Sequence, residues 1–323
     1  MEIQPGVHRI EAPLGDRYIA MYVVEGDTSA LLVDTGLDES VAGTLLPYLR
    51  KAGLKPEKIR YVLNTHSDFD HFGGNAAVRA AIPGALFLCH ELDRPWIEDV
   101  GRLIDERYRE YAAPDGFDES ADSQAFIRTV TRATQIDIAV RGGEELQLGN
   151  RRVQILHTPG HTWGHLSIWD AETGAALIGD AVLSNTVLTA SGSPAFPPTY
   201  RYIDSYYATM QRLAALPVKH LLTSHYPVYS GADVQEFIGG SLVFADRVDS
   251  AIRHALAQAR APLATMELIR RISGELGTWP EQAQAYLIFP VTGHLENLLA
   301  RRVVRRIQSG AGHVQWQLAE MAS

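Results

Sequence analysis

Residues 64–75 have the sequence NTHSDFDHFGGN, and this stretch decides the fold. An apolar run, residues 61–63, precedes it, and small helix-forming residues follow its Gly-Gly pair. The pattern predicts a loop between a strand and a helix, where side chains converge and a helix N-terminus offers free N–H groups. Helix capping explains one aspartate, but not two imidazoles and two carboxylates in register. We therefore predict a divalent metal site that includes His66, Asp68, Asp70 and His71.

The bulk composition fits a globular protein and restricts the class of partner. The 323 residues are 46% hydrophobic and 21% charged, and the formal net charge of −9 disfavours non-specific nucleic-acid binding. The single cysteine, Cys89, excludes an intramolecular disulfide and fits a reducing compartment. The first residues lack the pattern of a secretory signal, and no apolar run approaches transmembrane length. We expect a cytoplasmic protein with no membrane partner.

Further ligand-type residues follow later predicted strands. His161 lies in a Pro-Gly loop after the strand 152–157, Asp180 follows the strand 175–178, and His225 ends an apolar run that begins at residue 221. Seven such residues at the ends of four predicted strands are hard to explain by packing alone. Carboxylates brought together in this way repel one another unless cations lie between them. We therefore expect all seven to form one metal site.

The stretch of about 91–134 has a different composition, in which charged residues and helix formers dominate. We predict a pair of helices inserted into the sheet pattern. Such an insertion either walls a pocket or packs away from the site, and the sequence does not separate these alternatives. Tyr108 and Tyr111 are candidate pocket residues if it walls the pocket.

Together these features resemble the metallo-β-lactamase superfamily, which includes glyoxalase II, lactonases, thioesterases and several nucleases. The resemblance covers roughly residues 1–235 and implies an α+β fold, an αββα sandwich with the site along one edge of its two sheets. It rests on five features: Val33-Asp34-Thr35-Gly36, the run from Thr65 to Gly74, Thr158-Pro159-Gly160-His161-Thr162, Gly179-Asp180, and His225.

The resemblance also implies two divalent ions, most often zinc, and a hydroxide between them that attacks the substrate. One ion would be held by His66, Asp68 and His161. The other would be held by Asp70, His71 and His225, with Asp180 bridging the two. Asp70 is the best candidate for the catalytic residue that orients the nucleophile and passes a proton to the leaving group.

Asp68 departs from the family pattern, which has histidine at that place, so the motif is a variant HxDxDH. Two divalent ions contribute four positive charges, and Asp68, Asp70, Asp180 and a hydroxide contribute about four negative ones. The centre would then be about neutral, whereas histidine at 68 would leave it at about +1. The added carboxylate also shifts the preference from zinc toward manganese or iron.

Four residues near these motifs are candidates for supporting or substrate-binding roles. Asp34, at a strand end before glycine, is expected to support a ligand or brace a turn, and His165 to support the site or to pack. Tyr200 and Tyr226, like Tyr202, could donate to a substrate oxygen, and half-buried packing is the competing interpretation.

The sequence after the catalytic region predicts a connecting helix over 236–260 and a winged-helix-like domain over 261–323. The latter comprises three helices and a hairpin, a tail found in the branch of the superfamily that includes the β-lactamase-like protein 2 group. Its basic cluster could bind nucleic-acid phosphates, but a solvated or homodimer-facing surface is the favoured interpretation: Arg301, Arg302, Arg305 and Arg306.

Three functions follow from these features. The leading hypothesis is a binuclear hydrolase of a small acyl substrate with a thioester or lactone bond. The second is a metal-dependent nuclease that uses the arginine cluster, and the third is a non-catalytic ligand-binding protein with a degraded centre.

Overall fold

The computed structural model describes residues 1–308 and 313–319. Seven strands form the first sheet, in the order of the chain: Glu2–Gln4, Val7–Leu14, Arg17–Glu25, Ala30–Val33, Ile59–Leu63, Leu86–His90 and Ile138–Val140. Six strands form the second sheet. In their spatial order across the sheet they are Tyr229–Ser230, His220–Thr223, Ala175–Gly179, Leu166–Asp170, Arg152–His157 and Glu145–Gln147. Two further strands, Val187–Leu188 and Pro194–Phe196, form a short hairpin.

Successive side chains along each strand point to opposite faces of the sheet, and this alternation produces the layers. In the strand Ile59–Leu63, Val62 packs against the helices on one side, while Leu63 packs between the two sheets. The first sheet and the second sheet share a core in this way, with Tyr22 and Leu63 on one side and Ile155 and Leu177 on the other. A third cluster covers the outer face of the second sheet with helices. Three apolar interfaces between four layers confirm the predicted αββα metallo-β-lactamase sandwich.

The helices cover both outer faces. Beside the first sheet lie Asp38–Ser40, a π-helical turn Val41–Leu45, Leu46–Ala52, a 3₁₀ turn Pro56–Lys58, Phe69–Phe72 and Asn75–Ala81. The helical stretch from Asp38 to Ala52 therefore contains a wider turn at Val41–Leu45. The second sheet is covered by Ile203–Ala215 and Ala232–Gln258.

The insertion is more broken than the predicted pair of helices. It contains Arg94–Ile97, Val100–Leu103, a π-helical turn Ile104–Tyr108, Ala112–Asp115 and Ala121–Val130. Ile97, Leu103 and Ile104 are fully buried against the helical side of the first sheet. The insertion is thus part of the core, and its π turn is of the kind often found at functional sites.

The C-terminal segment contains the helices Thr265–Leu276 and Ile288–Ala300, a 3₁₀ helix Glu281–Leu287, and a sheet of Leu263–Ala264, Val314–Leu318 and Val304–Gln308. The predicted hairpin pairs as expected, from Val304 opposite Leu318 to Gln308 opposite Val314, while its Gly-rich turn lies outside the described residues. The short strand Leu263–Ala264 precedes the helix Thr265–Leu276.

The C-terminal segment shares one apolar cluster with the second sheet, so the core is continuous from Leu156 to Trp316. Arg201 adds a polar connection, with 2.6 Å from its Nη1 to Glu296 Oε2 and 2.9 Å from its Nη2 to Glu110 Oε1. Arg201 therefore links the helix Ile288–Ala300 to the insertion. The domain boundaries proposed from the sequence stay a prediction. Within the described residues, no helix is long and apolar enough to cross a membrane.

Candidate metal centre

Parallel pairing brings the ligand loops to one edge. The strands that end at Val33, Leu63 and His90 run parallel, so the segments after them emerge on the same side of the first sheet. The second sheet pairs Ala175–Gly179 parallel with His220–Thr223, which places the segments after both strands at one edge too. Main-chain hydrogen bonds join the two sheets there, from Leu166 N to Thr65 O at 2.7 Å and from Ala20 N to Ser224 O at 2.9 Å.

Close backbone approach explains the Gly-Gly pair. A Cβ atom at Gly74 would lie 2.4 Å from the Thr35 carbonyl oxygen, which is closer than any side chain tolerates. Asp34 has a φ of +59°, a conformation that aspartate adopts more readily than most residues. The two loops therefore pack tightly, with Thr35 N donating to the His71 carbonyl at 2.8 Å.

All seven predicted ligands converge at this edge. Their candidate ligand atoms form three groups, within each of which these atoms lie within 4.8 Å of one another: His66, Asp68 and His161; Asp70, His71 and His225; His66, His71 and Asp180. The first two groups match the two predicted ligand sets. The third places Asp180 beside one histidine of each set.

The histidines turn their Nε2 atoms inward because their Nδ1 atoms are held elsewhere. His161 Nδ1 lies 3.0 Å from the Thr199 carbonyl, and His225 Nδ1 lies 3.0 Å from the Tyr18 carbonyl. A carbonyl only accepts, so both Nδ1 atoms carry the hydrogen. Asp34 Oδ2 holds His71 Nδ1 at 2.8 Å, and Thr65 Oγ1 lies 2.9 Å from His66 Nδ1. This is the outer-shell pattern that orients imidazoles toward a metal ion.

Orphaned atoms show that the site suits cations. His66 Nε2, His71 Nε2 and Asp180 Oδ1 are buried and have no hydrogen-bond partner among the described residues. His225 Nε2 lies 3.5 Å from Asp70 Oδ2 and 3.4 Å from Asp180 Oδ2. Buried nitrogen and carboxylate oxygen atoms that lack hydrogen-bond partners fit divalent cations.

The local charges shift the pKa values in opposite directions. Burial and the neighbouring charge of His71 lower the pKa of His66 to about 3. Burial also lowers the pKa of His71, but the carboxylates of Asp34, Asp70 and Asp180 outweigh it and raise this pKa to about 10. The pKa of His225 is raised as well, because Asp180 and Asp70 outweigh its burial.

His165 and Asp34 lie where their supporting roles predict. The His165 ring stacks on His66 with centroids 5.0 Å apart, and its Nε2 accepts from Asp180 N at 3.1 Å. Nδ1 therefore carries the hydrogen and donates to Thr158 Oγ1 at 2.9 Å. Burial, followed by the charges of His66 and His161, holds the pKa of His165 well below its usual value. A neutral ring thus separates the Asp180 backbone from the ligand His66.

The tyrosines are buried more deeply than expected. Tyr200 and Tyr226 are 0% and 2% exposed, where the sequence suggested half-buried rings. The Tyr200 hydroxyl pairs with His294 Nε2 at 3.2 Å, and the Tyr226 hydroxyl donates to the Leu183 carbonyl. Neither lies in the lining of the pocket beside the centre. Both hydroxyls therefore bond within the protein, and the rings pack with the helices on the second sheet, while a substrate-binding role for either stays a prediction.

Two residues without a sequence motif support the centre. Asp93 is fully buried, and its Oδ2 accepts from Ser67 N at 3.1 Å and from Thr162 Oγ1 at 2.8 Å. It therefore ties the first ligand loop to the loop that carries His161. Arg107 Nε donates to Asp68 Oδ1 at 3.1 Å and Arg107 Nη2 to Asp68 Oδ2 at 3.4 Å. Arg107 lies four residues after Leu103 on the buried face of the insertion, and that spacing was the available signal.

A pocket of about 250 Å³ opens beside the ligands. The insertion lines it with Tyr108 and Phe126, and the C-terminal segment lines it with Tyr286 and Phe289. The insertion therefore walls the pocket, which settles the alternative left open by the sequence. Tyr111 does not line the pocket and packs edge-on to Phe289, with ring centroids 5.3 Å apart. Aromatic side chains thus line the same pocket as three aspartate carboxylates and the His225 imidazole, which makes the pocket amphipathic.

A known protein family and several curated proteins resemble this chain. A family model described as "Metallo-beta-lactamase superfamily" matches residues 14–225. The chain is 27% identical over 178 residues to a hydroxyacylglutathione hydrolase of Rhodospirillum rubrum, which covers 55% of this chain and 52% of the relative. It is 28% identical over 169 residues to an N-acyl homoserine lactonase of Bacillus sp., which covers 46% of this chain and 56% of the relative. The chain thus spans about half the length of these curated relatives.

A further relative covers more of the chain. An acyl-coenzyme A thioesterase, MBLAC2, of Gallus gallus is 26% identical over 226 residues, or 65% of this chain and 73% of the relative. Among solved structures, a metallo-beta-lactamase family protein from Thermus thermophilus superposes with a TM-score of 0.74 at 22% identity, over 98% of this chain and 99% of that one. This likeness shows that the fold, including the C-terminal segment, is shared.

Proposed function

We propose, from the premise that this chain belongs to the metallo-beta-lactamase superfamily of hydrolases, that it cleaves an ester-type bond in a small acyl substrate. The bond would be a thioester or a lactone. The observation that carries the proposal is the junction of the metal centre with the apolar pocket, since Asp68, Asp70, Asp180 and His225 line the same cavity as Phe126 and Phe289. An acyl chain against the aromatic walls would place its carbonyl at the ligands.

The chemistry at the junction depends on two bound divalent ions. His66, Asp68 and His161 would hold one, Asp70, His71 and His225 the other, with Asp180 between them. Bound there, such ions supply Lewis-acid chemistry, because they lower the pKa of a water molecule and polarise a carbonyl oxygen. Zinc suits the imidazole-rich set, while the three carboxylates leave manganese and iron as alternatives.

Asp70 would carry out the proton transfer from the attacking water to the leaving group. Its Oδ2 faces His225 Nε2 at 3.5 Å and His71 Nε2 at 3.9 Å, so one oxygen points toward the ligand nitrogens. The other oxygen would be left to accept a proton from the attacking water and to pass it to the leaving thiol or alcohol. Asp70 lines the pocket, which places this transfer next to the acyl carbonyl.

The names of the relatives support the bond type without fixing the substrate. A hydroxyacylglutathione hydrolase and an acyl-coenzyme A thioesterase are named for thioesters, and an N-acyl homoserine lactonase for a lactone. The pocket volume of about 250 Å³ suits a short or medium acyl chain better than a macromolecule.

A substrate panel tests the proposal. We expect the protein loaded with zinc or manganese to hydrolyse acyl thioesters or acyl lactones, and to lose this activity after treatment with a chelator. An Asp70→Asn variant should bind the same acyl substrates but turn over at least about 100-fold more slowly. Hydrolysis of phosphodiesters without any thioester or lactone cleavage would contradict the proposal and favour a nuclease.

A further inference from the structure

Arg107 is a buried guanidinium beside the unusual ligand of the centre. It is 2% exposed and comes from the π-helical turn Ile104–Tyr108 of the insertion. Its Nε and Nη2 donate to Asp68 Oδ1 at 3.1 Å and to Asp68 Oδ2 at 3.4 Å. A planar fork on both oxygens of one carboxylate is the geometry in which arginine fixes its partner most firmly.

Asp68 is the carboxylate that compensates this guanidinium. On its other side the Phe289 ring covers the group, with the ring centroid 5.2 Å from Arg107 Cζ. The charge of Arg107 also reaches the buried Asp93, whose oxygens instead accept hydrogen bonds from the main chain and from Thr162. A buried arginine is stable only when a carboxylate compensates it, and a buried carboxylate needs a cation in return. Each member of the pair is therefore the reason that the other is tolerated.

The fork also orients the carboxylate. While Arg107 holds both oxygens from the pocket side, Asp68 Oδ2 faces His161 Nε2 at 2.8 Å and His66 Nε2 at 3.7 Å. The oxygen thus lies with the two imidazole nitrogens that form the first ligand group. A carboxylate that rotates freely would spend part of its time away from that point.

We propose that Asp68 and Arg107 act as one unit that replaces a neutral imidazole in the first ion position. The pair carries no net charge, so Arg107 returns the formal charge of the centre from about zero to about +1. Arg107 also acts as a positioning residue, because it aims Asp68 Oδ2 at the ion. This inference rests on the proposed two-ion centre and names how its charge is set, and it replaces the neutral centre expected from the sequence.

Two effects of Arg107 on ion affinity have opposite signs. Its charge repels a nearby divalent ion, whereas its fork improves affinity by orienting the ligand, an effect typically worth about 10- to 100-fold. In a buried site the repulsion is larger than that gain. Removing the charge and the fork together should therefore raise zinc affinity, while removing only the fork should lower it.

The experiment compares zinc affinity of Arg107→Leu and Arg107→Lys with that of the unchanged protein, by competition with a chromogenic chelator in the absence of substrate. We expect Arg107→Leu to bind zinc at least about tenfold more tightly and Arg107→Lys about tenfold more weakly. Arg102→Leu, at an exposed arginine of the same insertion, is the control and should change nothing.

A double-variant cycle tests the unit itself. In the metal-free protein, Asp68→His leaves Arg107 unpaired and Arg107→Leu leaves Asp68 unpaired, so each should lower Tm by several degrees. Combining the two should restore most of Tm, because no buried charge is then uncompensated.

Two results would overturn the inference: a double variant that loses Tm by the sum of the single losses, or equal loss of zinc affinity in Arg107→Leu and Arg107→Lys. Both readouts need no catalysis. A chain that binds none of zinc, manganese and iron would instead refute the proposed function.

Discussion

The two ion positions are held by different parts of the chain. In the second position, Asp34 holds His71 Nδ1 at 2.8 Å and the Tyr18 carbonyl lies 3.0 Å from His225 Nδ1, so the first sheet supplies both supports. In the first position, Arg107 of the insertion holds Asp68 and the Thr199 carbonyl of a connecting loop holds His161. The first sheet thus supplies the supports of the second proposed position, whereas Asp68 and His161 of the first are supported from outside that sheet.

The charges around the two positions also differ. His71 lies among carboxylates that raise its pKa to about 10, while the pKa of His66, whose ring centroid is 3.9 Å away, is lowered to about 3 by burial and by the charge of His71. The comparison indicates that the sandwich would place one ion among negatively charged carboxylates. The added segments then adjust the charge and the shape of the other, next to the substrate pocket.

Removing Asp180, which would be shared by both positions, should have the largest effect on catalysis and metal content. Asp180 Oδ2 lies 3.7 Å from His71 Nε2 and 3.4 Å from His225 Nε2, and Asp180 also groups with His66. We expect Asp180→Ala to lower kcat/KM for an acyl thioester or lactone by about 10³-fold or more, and to lower metal content measured by mass spectrometry. Unchanged metal content would show that Asp180 bridges nothing.

Asp34→Asn should weaken the second position more than the first, because Asp34 Oδ2 contacts His71 Nδ1 directly and reaches His66 only through Thr65 Oγ1. The amide keeps the shape and tolerates the positive φ of this residue, but it loses the charge that holds His71 Nδ1. We expect zinc affinity of the weaker-binding step to fall about 10- to 100-fold in calorimetric titration. Asp38→Asn, at a surface pair with Arg132, is the matched control. An equal loss in both variants would contradict a role for Asp34.

The metal-free protein should become less stable as the pH rises. The folded pKa of His71, about 10, lies above its ordinary value of about 6.5, so its contribution is complete below about pH 6.5 and is lost as the pH rises through 10. We expect Tm in the presence of a chelator to fall steadily from about pH 7 to about pH 9.5, and less steeply in Asp34→Asn. Tm that rises over this range would contradict the charge pattern assigned to the second position.

Phe126→Ala should change substrate preference and leave the centre intact. The ring is 46% exposed, lines the pocket and packs edge-on to Phe69 at 5.9 Å, so its loss removes a wall without emptying the core. We expect KM for longer acyl chains to rise about three- to tenfold, with metal content unchanged. Leu92→Ala, at another exposed apolar residue of the insertion, is the control. Equal effects on short and long chains would exclude the insertion as an acyl-chain wall.

Replacing the C-terminal arginines should have the smallest effect. Arg301 and Arg305 are exposed and do not line the pocket. We expect Arg301→Ala/Arg305→Ala to leave thioester or lactone hydrolysis within about twofold of the unchanged protein, since surface charges far from the substrate contribute little. A large loss of RNA binding together with intact hydrolysis would establish a separate nucleic-acid surface.

The ligands could be predicted because each follows a strand end with a distinctive residue type. His161, Asp180 and His225 lie far along the chain from the first loop, yet their ligand-type atoms converge with those of that loop. Parallel pairing brings the segments of Asp180 and His225 to one edge of the second sheet. Arg107 and Asp93 could not be assigned in the same way. An arginine or aspartate in a charged helical stretch looks like a solvated side chain until tertiary packing buries it. The buried positions of Tyr200 and Tyr226 also depend on packing, here by helices on the second sheet.

The fold was predictable where local pattern and tertiary structure agree. The strand Arg152–His157 has the predicted bounds, and the apolar run 61–63 ends the strand Ile59–Leu63, because apolar runs bounded by turn residues define them. The insertion was predicted less well, since its five short helical segments are fixed by contacts with the sandwich and with the C-terminal segment rather than by their own periodicity.

Metal content of the purified protein tests the central claim most directly. Three carboxylates and four imidazoles converge here, and His66 Nε2 and His71 Nε2 have no hydrogen-bond partner among the described residues, which is the arrangement expected of a metal site. The account predicts about two divalent ions per chain after extensive dialysis, measured by inductively coupled plasma mass spectrometry. Fewer than one tightly bound ion per chain, in protein that is folded and supplied with zinc and manganese, would contradict it.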